Sequence, residues 1–125
     1  RYKGQVVKFE ADNCFAEFPT AENALDAAVG VQIALDAANR TTPEDLDIAV
    51  SIGIDFGDFL LIDDREFFGI PVNLASKLGE DLGSGGDVLL TKAAVDAMGA
   101  QSRFVFESSR HSISGMVLDA FRLVR

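Results

Sequence analysis

A chain of 125 residues with 48% hydrophobic content has the size and apolar fraction of one globular domain with a real core. Acidic residues outnumber basic ones 20 to 11, and the formal net charge of -9 argues against a nonspecific grip on a phosphate backbone, so no nucleic acid partner is expected. The charge leaves room for a nucleotide, because a bound divalent cation reverses the local sign of an acidic site.

The one cysteine, Cys14, allows no intrachain disulfide, and no Cys/His cluster has zinc spacing; both features fit a reducing, cytoplasmic compartment. Apolar stretches are broken by Asp, Asn or Gly well short of the roughly 20 residues a membrane span needs, so no membrane contact is expected of this segment. The chain opens at Arg1 without an initiator methionine and passes almost at once into strand-like residues, which leads us to expect further sequence upstream.

In chain order, Gln5 to Glu10 and Cys14 to Phe18 are β-prone runs separated by Ala11-Asp12-Asn13, a hairpin with Asp12 at its tip. Pro19-Thr20 opens a long helix in which Thr20 caps the free amides, and Ala24, Leu25, Ala28, Val31, Leu35 and Ala38 share its inner face. Thr41-Thr42-Pro43 ends it. From Leu46 to Ile54 every even position is Leu, Ile or Val, the alternation of a half-buried strand. Gly57-Asp58 turns into Phe59 to Ile62, and the acidic stretch Asp63-Asp64-Arg65-Glu66 leads to a second helix with Pro71 in its first turn. Val72, Ala75, Leu78 and Leu82 can face a sheet. After Gly83-Ser84-Gly85-Gly86 come a strand over Asp87 to Leu90, a short helix over Thr91 to Met98, and strands over Arg103 to Glu107 and Val117 to Val124. The order suits an α+β, ferredoxin-like sandwich: a mainly antiparallel sheet with helices packed on one face.

Three pieces stand together in this order: Lys8 and Asp12 within Val7-Lys8-Phe9-Glu10-Ala11-Asp12-Asn13, then Ile52-Gly53-Ile54-Asp55-Phe56-Gly57, then Phe68-Gly69-Ile70-Pro71-Val72-Asn73-Leu74-Ala75-Ser76-Lys77-Leu78. Order and spacing resemble the class III adenylate and guanylate cyclases, whose segments read roughly K-x-x-G-D-G, G-I-x-x-G and F-G-x-x-V-N-x-A-x-R-L. Ser84 to Thr91 is similar to the family's following G-x-I-L-V-S strand, so the likeness covers nearly the whole chain.

The resemblance implies a nucleotidyl cyclase domain over residues 1–125, lacking the N-terminal strand and helices usual in the family. It implies conversion of ATP to cyclic AMP and pyrophosphate, with Mg²⁺ or Mn²⁺ as cofactor, in a homodimer or a cyclase-domain heterodimer. Asp12 falls on a metal-binding aspartate; a carboxylate at a hairpin tip can meet a hard cation, though an ordinary turn aspartate is the bland alternative. Asn73 and Lys77, four apart on one helix face, fall on the residues that orient the ribose and stabilise charge on the reacting phosphate. Lys8 and Glu66 fall on the pair that reads the purine: a lysine donates to adenine N1, and a carboxylate accepts from the exocyclic amine.

Departures cluster near the same residues. Lys77 stands where the family has arginine, Glu66 where it has aspartate, and Ala11 and Asn13 where it has glycines, while Ser112 to Val117 holds no match for a late phosphate-binding lysine. The first metal aspartate of the family lies on a strand upstream of Arg1. A catalytically silent module for dimerisation, nucleotide binding and regulation is therefore the alternative, followed by an unrelated ferredoxin-like ligand-binding domain. Gly85-Gly86-Asp87 reads as a turn into a strand, His111 as part of a surface loop, and Asp55, Asp58, Asp63 and Asp64 as solvated turn charges.

Overall fold

The computed structural model describes residues 3–10, 12–62, 66–99, 103–113 and 115–125. Its first element is the expected hairpin. Strand β1 (Gln5–Glu10) pairs antiparallel with β2 (Asn13–Glu17), with Glu10 opposite Asn13 and a register shift between Val6 and Lys8. Asp12 sits in the turn; Ala11 lies outside the described residues.

Thr20, in extended conformation, then accepts a 3.0 Å hydrogen bond from the Asn23 amide and starts α1 (Ala21–Asn39). Leu25 and Ala28 are buried as their spacing requires, but Val31 is 46% exposed and Ala38 also faces out. Gln32 takes an interior place instead, 1% exposed. Its Nε2 donates to the Val50 and Asp87 carbonyls at 3.0 and 3.2 Å. Backbone carbonyls inside a fold need donors, a demand that apolar periodicity does not record.

The strand expected over Leu46 to Ile54 contracts to β3 (Ile52–Ile54). Leu46 ends a 3₁₀ turn over Glu44–Leu46, and Leu46 and Ile48 are 62% and 60% exposed. Asn39 satisfies Ile48 in place of a ladder, its Nδ2 donating to the Ile48 carbonyl at 2.8 Å and its Oδ1 accepting from the Ile48 amide at 2.9 Å. Alternation marks what a strand could bury, yet a strand also needs a neighbour for its backbone.

A small hairpin follows, β4 (Leu60–Ile62) antiparallel to β5 (Glu66–Phe68); Asp63, Asp64 and Arg65 lie outside the described residues. Gly69, at a φ of 142° where a side chain would be strained, turns the chain into α2 (Ile70–Lys77). That helix runs on as a π-helical turn over Leu78–Leu82. Gly86, at a φ of 91°, and the Asp87 carboxylate, which accepts from the Ser84 amide at 3.0 Å, shape the turn into β6 (Val88–Thr91). Thr91 caps α3 (Lys92–Met98), accepting from the Ala94 amide.

The last two strands are longer than their composition suggests. β7 (Phe106–Ile113) and β8 (Met116–Leu123) form a hairpin that carries His111 opposite Leu118. The loop expected around His111 is thus a strand: pairing with β8 supplies the order that the serine-rich run does not declare. The His111 Nε2 lies 2.7 Å from Ser109 Oγ. Ser114 lies outside the described residues.

The principal sheet has the order β3-β6-β8-β7, with β3 parallel to β6 and the remaining pairs antiparallel. All of β6 is buried, and its alternation divides the core. Val88 and Leu90 pack with Leu25 and Ala28 of α1 and Ala94 of α3, while Leu89 packs with Leu78 and Ala120. The α+β class holds, but the helices are not all on one face as expected: α1 and α3 cover one side of the sheet and the end of α2 the other, because β6 is apolar on both faces. Among the described residues no helix is long and apolar enough to cross a membrane.

Candidate functional site

A hollow of about 660 Å³ opens between the hairpin and the principal sheet. Its walls are β2, the inner side of α1, β3 and the end of α2. Strand β2 has a partner on its β1 side, and β3 on its β6 side. Their other edges face this space, and among the described residues neither has a second strand neighbour. Exposed Val31 belongs to the same wall, so an apolar helix face and two strand edges border one cavity.

Asp12, exposed at the hairpin tip, stands at the rim of this cavity. Beside it, Asn13 reaches across to the π-helical turn, its Nδ2 donating to Glu80 Oε1 at 2.9 Å. Ser76 Oγ approaches the same oxygen at 3.4 Å. Lys8 lies on β1, cross-strand from Phe15, with its Nζ 5.2 Å from the centre of the Phe15 ring. Lys77 ends α2 and is half-buried; Asn73 lies one helical turn earlier, and Glu66 begins β5. Of the described predicted side chains Asp12 borders the cavity, whereas Lys8 and Lys77 do not.

A hard divalent cation fits an exposed carboxylate such as Asp12, because Mg²⁺ keeps waters and is commonly held by one or two carboxylates together with substrate phosphates. Among the described residues no group of three His, Cys, Asp or Glu could close around an ion. Asp12 could therefore act only as one ligand of an open site, with other oxygens supplied from elsewhere.

A smaller hollow of about 420 Å³ lies where Asp55, Asp58 and Asp119 meet Lys92. Asp55 is not a solvated turn charge: its Oδ1 accepts from Thr91 Oγ1 and, at 2.7 Å, from the Phe56 amide. It ties the exit of β3 to the cap of α3. The Asp96 carboxylate, hydrogen-bonded to Lys92 Nζ at 2.8 Å, raises the Lys92 ammonium above its ordinary 10.5.

Sequence reasoning missed Glu80 and Gln32. Asn13 reads as a turn residue and as a departure from a glycine, and the π-helical turn that sets the place of Glu80 has no signature in Leu78-Gly79-Glu80-Asp81-Leu82. Gln32 is flanked by Val31 and Ile33, and the apolar spacing of the helix gives no sign that an amide faces the core.

No protein-family profile matches the chain. A curated relative, the putative adenylate cyclase 3 of Rhizobium meliloti (strain 1021), is 37% identical over 90 residues, 72% of this chain and 15% of that protein. The chain therefore spans a small part of that relative. The adenylate/guanylate cyclase/hydrolase from Silicibacter pomeroyi superposes with a TM-score of 0.87 at 26% identity, covering 99% of this chain and 74% of that one. An adenylate cyclase from Trypanosoma brucei, solved in its monomeric state, shares the fold with a TM-score of 0.77 at 19% identity, covering 98% and 70%. In fold the chain matches adenylate/guanylate cyclase domains, and in sequence it is similar to part of a putative adenylate cyclase.

Proposed function

We propose that the chain is the catalytic domain of an adenylate cyclase that converts ATP to cyclic AMP and pyrophosphate at a site shared between two cyclase domains. The observation that carries the reading is the place of Asp12: a carboxylate on an exposed turn, at the rim of a cavity that Lys77 does not line. That separation is what a site assembled from two subunits requires, with Asp12 supplied by one and Lys8, Glu66, Asn73 and Lys77 by the other.

In this reading the ribose 3′ oxygen attacks the α-phosphorus in line, the bond to the bridging oxygen breaks, and pyrophosphate leaves. Two divalent ions, when bound, would acidify the 3′ hydroxyl and neutralise the leaving group. Asp12 offers an oxygen ligand to them. Asn73 orients the ribose, and Lys77 places a positive charge against the phosphate as negative charge builds on its oxygens. Lys8 and Glu66 read adenine in preference to guanine, whose donor and acceptor positions are reversed at that edge.

The facing edges of β2 and β3 and the apolar wall beside them support the reading that an extended segment fills the cavity and supplies the second metal carboxylate. The experiment on the shared site mixes Asp12→Ala and Asn73→Ala proteins, each inactive but folded. Recovery of cyclic AMP synthesis in the mixture is the expected result. No recovery, with active wild type alongside, defeats it.

A second reading, a silent regulatory module, is favoured by one feature, the point charge of Lys77 in place of a guanidinium fork. It predicts Mg²⁺-dependent ATP binding without cyclic AMP or cyclic GMP formation with either Mg²⁺ or Mn²⁺.

A further inference from the structure

We propose that Glu80 is a positioning residue for Asp12, acting through the side chain of Asn13; the inference rests on the metal role of Asp12 given above. The β1–β2 hairpin is a two-stranded sheet of its own, and an isolated pair of strands holds its shape only marginally. Its tip needs an outside anchor if a carboxylate there is to meet an ion at a fixed place. Asn13, adjacent to Asp12 and last in the ladder, provides the connection through the 2.9 Å bond to Glu80.

Glu80 is suited to anchor it because its backbone is fixed while its side chain is not hidden. The π-helical turn that carries it begins at Leu78, which is fully buried against Leu89 and Ala120. Gly79, the next residue, passes close to β3: a Cβ there would stand 3.5 Å from the Gly53 nitrogen. The Glu80 carboxylate then reaches out to the cavity rim, where Ser76 also approaches it and where Asp12 and Asn13 stand. A π-helical turn inserted in an α-helix recurs at functional sites. Here it carries one exposed acidic side chain that reaches the hairpin tip. A glycine at position 13 has no side chain to make this bond, so the contact belongs to the asparagine this chain carries.

The test uses the intact protein with Glu80→Ala, Asn13→Gly, Glu80→Gln and Asp12→Ala. Mn²⁺ binding is read by electron paramagnetic resonance, hairpin opening by hydrogen exchange of the amides over 12–16, and folding by thermal melting. Glu80→Ala and Asn13→Gly are expected to weaken Mn²⁺ binding about three- to tenfold, the scale of one lost hydrogen bond. They should also speed hairpin exchange without shifting the melting temperature. Glu80→Gln keeps an acceptor for Asn13 and should restore both readouts. Unchanged Mn²⁺ binding in Glu80→Ala, or a Glu80→Gln protein as weak as Glu80→Ala, overturns the proposal. Asp12→Ala separates the two claims. If it leaves Mn²⁺ binding intact, the metal role of Asp12 falls and the Glu80 proposal with it. If it abolishes binding while Glu80→Ala does not weaken it, the Glu80 proposal falls alone.

Discussion

Gly53 and Ala75 are in backbone contact: a Cβ on Gly53 would land on the Ala75 carbonyl oxygen and 2.9 Å from the Gly79 nitrogen. Strand β3 lies directly on the helix that carries Asn73 and Lys77, with no side chain between them. The glycine thus sets the depth at which α2 sits on the sheet, and both helix residues inherit their height from it. A Gly53→Ala substitution has no flexible neighbour to push aside, since backbone atoms occupy the space. We expect a loss of about 1–3 kcal/mol, the scale of core overpacking, seen as a lower melting temperature. A melting temperature equal to wild type would show that the two elements can separate freely.

Gln32 offers a test of whether a polar residue can be the better core residue. Its amide closes onto the Val50 and Asp87 carbonyls, at the entrances of β3 and β6. Those carbonyls also accept from the Gly86 and Ile52 amides, so removing Gln32 leaves them underused rather than abandoned. Gln32→Ala should cost about 1–3 kcal/mol in urea denaturation. Gln32→Leu, which fills the volume without a donor, should recover only part of this. Full recovery by leucine would assign the site to packing alone.

How far the sequence could be read divides along one physical line, between local and non-local causes. The Thr20 cap, the Asp12 turn and the start of α2 after Gly69 follow from local chemistry and stand where expected. Strand lengths were not legible, because a ladder depends on a neighbour far along the chain. Leu46 to Ser51 alternates as a strand should but finds no ladder among the described residues, whereas the polar run Ser108 to Ser112 becomes strand through β8. The site divides in the same way. The motif order nominates Asp12, Asn73 and Lys77, yet the bond from Asn13 to Glu80 spans 67 residues and leaves no trace in spacing.

Lys92 and Asp96 give a pH prediction whose sign follows from the raised ammonium pKa. The hydrogen bond and charge of Asp96 act first, and the charge of Asp119 adds to them. A folded pKa above the unfolded value stabilises the fold fully below 10.5, and that contribution fades as pH rises through the folded value. Both side chains are largely exposed, so the contribution is small. An NMR titration of the Lys92 side chain should show its pKa fall in Asp96→Asn. A titration unmoved by that substitution would mean that the pair does not persist in solution.

Lys77 is where chemistry and family pattern diverge most, and the divergence has a direction. An ammonium neutralises charge but grips one oxygen at a time, whereas a guanidinium can hold two in a plane. If Lys77 acts on the reacting phosphate, Lys77→Ala should lower kcat by about 100-fold or more with little change in KM, because the charge it answers develops only in the transition state. Lys77→Arg should then raise kcat by about three- to tenfold, the gain of one added charge-assisted bond. The relevant measurement is steady-state cyclic AMP formation at saturating Mn²⁺ and ATP, so that binding does not mask the step. An alanine variant with wild-type kcat would remove Lys77 from the reaction. An arginine variant slower than wild type would mean that the helix at this point is shaped around the lysine.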